Sequence, residues 1–162
     1  MAEPREAPSA PEGALPAEEA RLFCLRVGTS RYAFDAGLVA EVIRLGPLTR
    51  LPAAPPFLPG VFAHRGEVLA LLDLSRLLGQ PPASLAAGAR AVVIRSGVWS
   101  LALVADAVEG LSAVARTALE PPPADGAGAD LVAAVARDAR GPLAVLDLPR
   151  LVASARSWSG PA

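Results

Sequence analysis

The sequence contains no lysine and no asparagine, and all 15 of its basic residues are arginine. Without lysine there is no Walker side chain for nucleotide phosphates, no Schiff-base amine and no phosphate-binding lysine of a receiver domain. Cysteine and histidine occur once each, as Cys24 and His64, so the usual His/Cys zinc site and any internal disulfide framework are excluded. A single cysteine fits a reducing compartment. The net charge of −1, with no basic clusters interleaved with aromatics, argues against nucleic acid or an anionic membrane surface as partner. No apolar run approaches the roughly 20 residues of a transmembrane helix. The first residues, MAEPREAPSAPEGALPAEEA, have neither the basic start nor the apolar stretch of a signal peptide. Together these absences predict a cytoplasmic protein that does not insert into membranes and needs neither metal nor cofactor.

What is present is apolar and short in period. Hydrophobic residues make up 52%, ample for a core, although many are alanines that bury little area. Residues 1–20 read as a disordered Pro/Ala/Glu tail, 21–153 as the folded region, and 154–162 as a flexible tail. Strands are expected at Leu22–Val27 and Arg31–Asp35 around a turn at Gly28–Ser30. Leu38–Ile43, with apolar residues one, four and five apart, predicts a short amphipathic helical turn. After the Pro-rich Leu51–Pro56 come strands at Gly60–His64 and Glu67–Leu72, hinged at Arg65-Gly66. A brief helix then runs from Leu74 to Leu78, capped by Asp73 and ended by Gly79. Further strands are expected at Ala91–Arg95, Ser100–Val104, Leu131–Ala136 and Leu143–Leu146, with a last helix from Pro149.

The chain repeats itself. Leu71-Leu-Asp-Leu-Ser-Arg-Leu-Leu78 matches Val145-Leu-Asp-Leu-Pro-Arg-Leu-Val152, and each is preceded by an Arg-Gly pair, at Arg65-Gly66 and Arg140-Gly141. Upstream, a constant offset of 69 pairs Gly28 with Gly97, Ala33 with Ala102, Val39 with Val108 and Pro52 with Pro121. This predicts two related lobes, approximately 21–80 and 90–153 as sequence repeats, each a small five-stranded β-barrel that hides its strand edges.

Few residues could carry chemistry. Asp73 ends an apolar strand as a phospho-acceptor would, but Asp147 repeats it in the second copy, and a duplicated aspartate in a duplicated slot is a helix cap. His64, Arg65 and Asp73 would form a hydrolytic site only if they converged on one pocket; no GxSxG elbow accompanies them. Cys24 lies in an apolar strand, the ordinary place for a structural thiol. Gly66 lets the chain turn, and Arg65 offers rigid donors suited to a partner's carbonyls or carboxylates. Glu41 reads as a solvated face or a partner contact, and the proline runs as rigid connectors or polyproline ligands.

The order of these elements resembles the CheW-like family of bacterial chemotaxis adaptors (coupling proteins). The resemblance rests on Leu22-Phe-x-Leu with Tyr32-Ala-Phe, Val39-Ala-Glu-Val-Ile43, Leu51-Pro-x-x-Pro55, Phe57-Leu-x-Gly-Val61, Arg65-Gly-x-Val-Leu69, Leu72-Asp-Leu74, Val104-Ala-Asp-x-Val108 and Leu146-Asp-Leu148. It spans roughly Arg21 to Val152. It implies a mainly β fold of two intertwined SH3-like five-stranded barrels with short helices, and no catalysis. It implies a scaffold of a chemosensory array that couples the cytoplasmic tip of a methyl-accepting chemoreceptor to the regulatory domain of a CheA-type histidine kinase, with other CheW-like domains as further partners. By the same resemblance Val39, Glu41, Val42, Gly60 and Arg65 match kinase-contacting positions, and Val92, Val93 and Ala102 lie near the receptor groove. Gly66, Asp73 and Asp147 are structural. The sequence departs from the family pattern at Ala63 (usually Asn), Ala70 (Pro), Ser75 (Arg), and Ala102 and Ala134 (Gly). These departures leave an alternative: an accessory member that binds receptor but couples poorly to kinase.

Overall fold

The computed structural model describes residues 18–86, 88–97, 99–126 and 128–157. The tails expected at 1–20 and 154–162 lie largely outside them, but Glu19 and Ala20 open the first strand and residues 154–156 belong to the last helix, each held by its neighbours rather than left as tail. Ten strands and two helices follow in order: β1 (Glu19–Val27), β2 (Ser30–Asp35), β3 (Val39–Arg44), β4 (Gly60–His64), β5 (Glu67–Asp73), α1 (Leu74–Leu77), β6 (Arg90–Ser96), β7 (Trp99–Val104), β8 (Ala107–Ala115), β9 (Val132–Asp138), β10 (Gly141–Leu146) and α2 (Leu148–Arg156). They form two five-stranded sheets, ordered β8-β1-β2-β10-β9 and β3-β6-β7-β5-β4. The protein is mainly β, as the sequence predicts.

The repeat is visible in the register. Leu22 opposite Asp35 in the β1/β2 pair recurs as Ala91 opposite Val104 in β6/β7. The parallel pairing of Leu71 with Ala102 recurs as Val145 with Ala33. Even the irregularities are duplicated: Ala40 is bulged out between Val39 and Glu41 against β6, and β8 skips Glu109 against β1 at the corresponding place. Yet neither repeat makes its own sheet. β1 and β2 join β8, β9 and β10, while β6 and β7 join β3, β4 and β5. Each barrel therefore takes two strands from one repeat and three from the other.

Each sheet also curls until its ends meet. Thr49, beyond edge strand β3, exchanges two backbone hydrogen bonds (2.8 and 2.9 Å) with Val61 of the opposite edge strand. Glu120, beyond β8, does the same with Val135 at 2.9 and 3.0 Å. The first barrel (β8-β1-β2-β10-β9) holds Leu22, Cys24, Ala33, Val114 and Leu143. The second holds Phe62, Leu69, Leu71, Val93, Ala102 and Val104. The largest core lies between them, where Phe34, Leu25, Ile94, Leu103, Leu148 and Leu151 are at most 1% exposed. Each such side chain contributes about 1.5–3 kcal/mol by leaving water, so the barrels are held as one unit mainly by this seam.

Two local expectations are corrected. Val39–Arg44 is a strand rather than a helical turn; a 3₁₀ turn at Ala36–Leu38 precedes it. The bulge at Ala40 breaks strict alternation, so Val39, Val42 and Ile43 mimic helical spacing although β-branching favours the strand. The two Arg-Gly pairs are not equivalent. Arg65 and Gly66 are the two-residue loop between His64 and Glu67, with φ of 49° and 81°, the signature of a tight hairpin turn. Arg140 instead precedes Gly141, which already pairs with Asp138 inside the β9/β10 ladder.

Asp73 and Asp147 cap the two helices, the first by accepting from the Ser75 and Ala83 amides (both 3.0 Å) and the second from the Arg150 amide (3.1 Å). Burial pushes the Asp73 carboxyl up, against the pull of those amides. Ser75 is fully buried and its hydroxyl has no hydrogen-bond partner. Ser75→Ala is therefore expected to be neutral or to stabilise by up to about 1 kcal/mol, read from the midpoint of urea unfolding.

Candidate functional site

The side chains proposed for hydrolysis do not converge. His64 and Asp73 stand at opposite ends of the β4/β5 hairpin, and at about 3.3 Å per residue the length of β5 separates them. Asp73 is 2% exposed and committed to capping. The Cys24 thiol is buried inside the first barrel, and burial pushes its pKa up to about 11, which makes it a poor nucleophile. Among the described residues no cluster of three His, Cys, Asp or Glu side chains could hold a metal ion.

Glu41 and Arg65 do meet, and a residue that sequence reasoning assigned only to the enzyme alternative joins them. The Glu41 carboxylate hydrogen-bonds the His64 imidazole through Oε1 and takes the Arg65 guanidinium through Oε2 at 3.2 Å. Beside them Arg95 binds Glu67 at 2.8 Å and the Ser100 hydroxyl at 2.8 Å. Glu41 pairs with Val93 and Ser100 with Arg95 across the sheet, so these side chains share the face that lines the second barrel and close its mouth with charge. The Glu67 carboxyl is held below its usual range by Arg95. Around this mouth Val42 is 40% exposed, Val68 73%, and the Arg65 side chain 75%.

The first barrel is closed at the corresponding mouth by different residues, which the sequence did not point out. Arg31 donates to Glu109 at 2.8 Å and, through both terminal nitrogens, to Asp138 at 2.7 and 2.8 Å. Ser112 and the Arg140 amide complete the shell of Asp138. Arg31 holds the Asp138 carboxyl well below the usual carboxylate range. The side chains of Arg31 and Asp138 are each 11% exposed and belong to structure rather than to a contact face.

The other expected contact residues fall into three groups. Val39 is partly exposed and packs at the edge of the inter-barrel seam. Gly60 is buried: a Cβ there would stand 2.6 Å from the Thr49 carbonyl oxygen, so the glycine is needed where the barrel closes. Val92, Val93 and Ala102 are each 0% exposed, Val92 in the seam and the others inside the second barrel. They can shape a groove from beneath but do not line one. An open apolar groove lies at the edge of the seam between the barrels, where Phe57, Leu58, Leu72, Trp99, Leu101 and Val152 meet. Its aromatics are separated by about forty residues in sequence, and no local pattern joins them.

Residues 21–156 match the CheW-like domain. The chain is 42% identical over 120 residues to the protein FrzA of Myxococcus xanthus, covering 72% of this chain and 75% of that protein. It is 25% identical to the chemotaxis protein CheW of Treponema pallidum over 143 residues, 85% of this chain and 84% of the relative. Among solved structures, the scaffolding protein TtCheW from Thermoanaerobacter tengcongensis superposes with a TM-score of 0.73 at 21% identity, covering 82% of this chain and 86% of that one, a likeness of fold. No helix among the described residues is long and apolar enough to cross a membrane. With two interlocked five-stranded sheets in the order that the repeat dictates, and the family match running through nearly all of the described chain, the protein belongs to the CheW-like domain family.

Proposed function

We propose that the protein is a non-catalytic adaptor of a chemosensory array, joining the cytoplasmic tip of a chemoreceptor to the regulatory domain of a CheA-type histidine kinase. The observation that carries this reading is the conformation of Arg65. It is held at φ 49°, one of two non-glycine residues with positive φ among the described residues, and its side chain is 75% exposed. An L-residue in that region costs about 1–2 kcal/mol. A strained, exposed arginine beside Glu41 and the bare Val42 is the kind of feature retained for recognition rather than for folding. Glu41 and Arg65 supply register and partner choice, Val42 supplies apolar area, and Gly60 holds the barrel that presents them. The apolar groove of Trp99, Phe57 and Leu101 suits a face of the receptor's helical tip.

Substituting Arg65 by glycine separates the two roles. Arg65→Gly is expected to raise the unfolding free energy by about 0.5–1 kcal/mol, through relief at φ 49°. It should also weaken the kinase regulatory domain about tenfold, as loss of an interface arginine does. Calorimetry of the purified pair measures both. Absence of any binding by the wild-type protein to kinase domain or receptor fragment at tens of micromolar overturns the adaptor reading. Ala63 is exposed where the family usually carries asparagine, leaving no polar side chain two residues before Arg65. That favours a second reading, an accessory adaptor; intact receptor binding without kinase activation selects it.

A further inference from the structure

The Glu41 carboxylate has two cationic or potentially cationic partners, and only one of them is always charged. Arg65 reaches Oε2 at 3.2 Å from an exposed position, whereas His64 reaches Oε1 from a half-buried one, with 17% of its side chain accessible. His64 is the only histidine in the chain. Imidazole is the side chain that ordinarily gains or loses charge between pH 5 and 8. The groups that face it can be counted from every element around the mouth: Glu41 on β3, Arg65 in the hairpin loop, Glu67 on β5 and Arg95 on β6. Two carboxylates and two guanidinium groups balance, so the imidazole proton sets the net charge of the cluster.

From this geometry we propose that His64, Glu41 and Arg65 form a proton-operated clamp that regulates the partner face. The proposal rests on the adaptor reading above. With neutral imidazole, His64 donates a single hydrogen bond and the charge of Glu41 is answered by Arg65 alone. With imidazolium, His64 becomes a full counter-ion at Oε1, and Arg65 loses its hold on the carboxylate. The 75% exposure of Arg65 against 17% for His64 decides which pair wins, because solvent screens the outer pair more. Acidification therefore withdraws Glu41 from any partner cation and leaves Arg65 loose, and a complex that uses the pair for register weakens.

Two measurements test this with the full chain. In the free protein, nuclear magnetic resonance follows the His64 ring and the Arg65 Nε–H between pH 5 and 8. The expected result is that both move with one midpoint, and that Arg65 stops responding in Glu41→Gln while the ring still titrates. An Arg65 signal that ignores the ring in the wild type overturns the clamp, whatever the partner does. In the second arm, the dissociation constant for the kinase regulatory domain is measured at pH 7.5 and pH 6.0. It is expected to rise three- to tenfold in the wild type and to stay within twofold in His64→Gln, whose amide can still donate to Glu41. An equal rise in both proteins overturns the regulatory role. Failure of wild-type binding at both pH values is failure of the adaptor reading, and the resonance arm still decides the clamp.

Discussion

Arg31→Ala is expected to lower the unfolding free energy by about 3–4 kcal/mol, the largest loss from any single polar side chain described above. It removes hydrogen bonds of 2.7 to 2.8 Å to two carboxylates and strands Asp138 and Glu109, 11% and 18% exposed, as neighbouring like charges. A loss of that size corresponds to a fall in melting temperature of roughly 10 °C, measurable by scanning calorimetry at pH 7. The pH dependence has a definite sign. Arg31 depresses the Asp138 carboxyl in the folded state. Its stabilisation is therefore present above the unfolded carboxylate value of about 3.9 and is lost as pH falls through the folded one. The gap between wild type and Arg31→Ala should narrow below about pH 4. A gap that stays constant from pH 7 to pH 2 would contradict the assignment. Replacing Arg31, Glu109 and Asp138 together by apolar residues of similar volume should restore much of the loss, since the desolvation of three charges is then avoided.

Gly60→Ala is expected to cost about 2–3 kcal/mol, more than its single methyl group would anywhere on the surface. The added Cβ would stand 2.6 Å from the Thr49 carbonyl oxygen and 3.2 Å from its carbon, both backbone atoms that cannot swing aside. That carbonyl accepts the Val61 amide at 2.9 Å, one of the two bonds that close the second barrel. The variant should melt roughly 5–10 °C lower, and amide exchange at Val61 should accelerate more than at Val135, the same position in the first barrel. If Gly60 served only as a flat contact for a partner, melting and exchange would be unchanged and affinity alone would fall. The expectation that Gly60 touches the kinase thus becomes a narrower proposal, in which it builds the face that Val42, Glu41 and Arg65 present.

Most strands were legible because their signals are local. Phe23, Leu25 and Val27 alternate toward the seam, and Tyr32 and Phe34 do so on the returning strand, so period two could be read directly. Asp73 and Asp147 announced their helices by the same rule. β8 was missed. Its sequence, Ala107-Val-Glu-Gly-Leu-Ser-Ala-Val-Ala115, places Gly110 at φ 94° beside a bulge and spends small residues where strands usually carry large ones. Its strand character comes from pairing with β1 rather than from propensity. The helical turn expected over Leu38–Ile43 fails for the related reason that a bulge shifts the phase of alternation. At the candidate site, the family resemblance pointed to Glu41 and Arg65, but nothing local joined His64 to Glu41, 23 residues away.

By itself the sequence determined the duplication, the strand-rich composition and the two caps. Each of these depends on residue identity or on spacings shorter than a turn or a strand. Only the tertiary structure decided that the repeats exchange strands, that Val92, Val93 and Ala102 lie under the surface, and that each barrel mouth is plugged by its own set of charges. These outcomes depend on which ladder edges and which charges find one another across long separations, as Arg31 and Asp138 do over 107 residues. The lack of lysine shows the same division. It removes a Walker lysine and a Schiff-base amine at once, whereas the setting of the arginines that stand instead, Arg31 as a buried plug and Arg65 exposed on a strained turn, was decided by burial and backbone conformation.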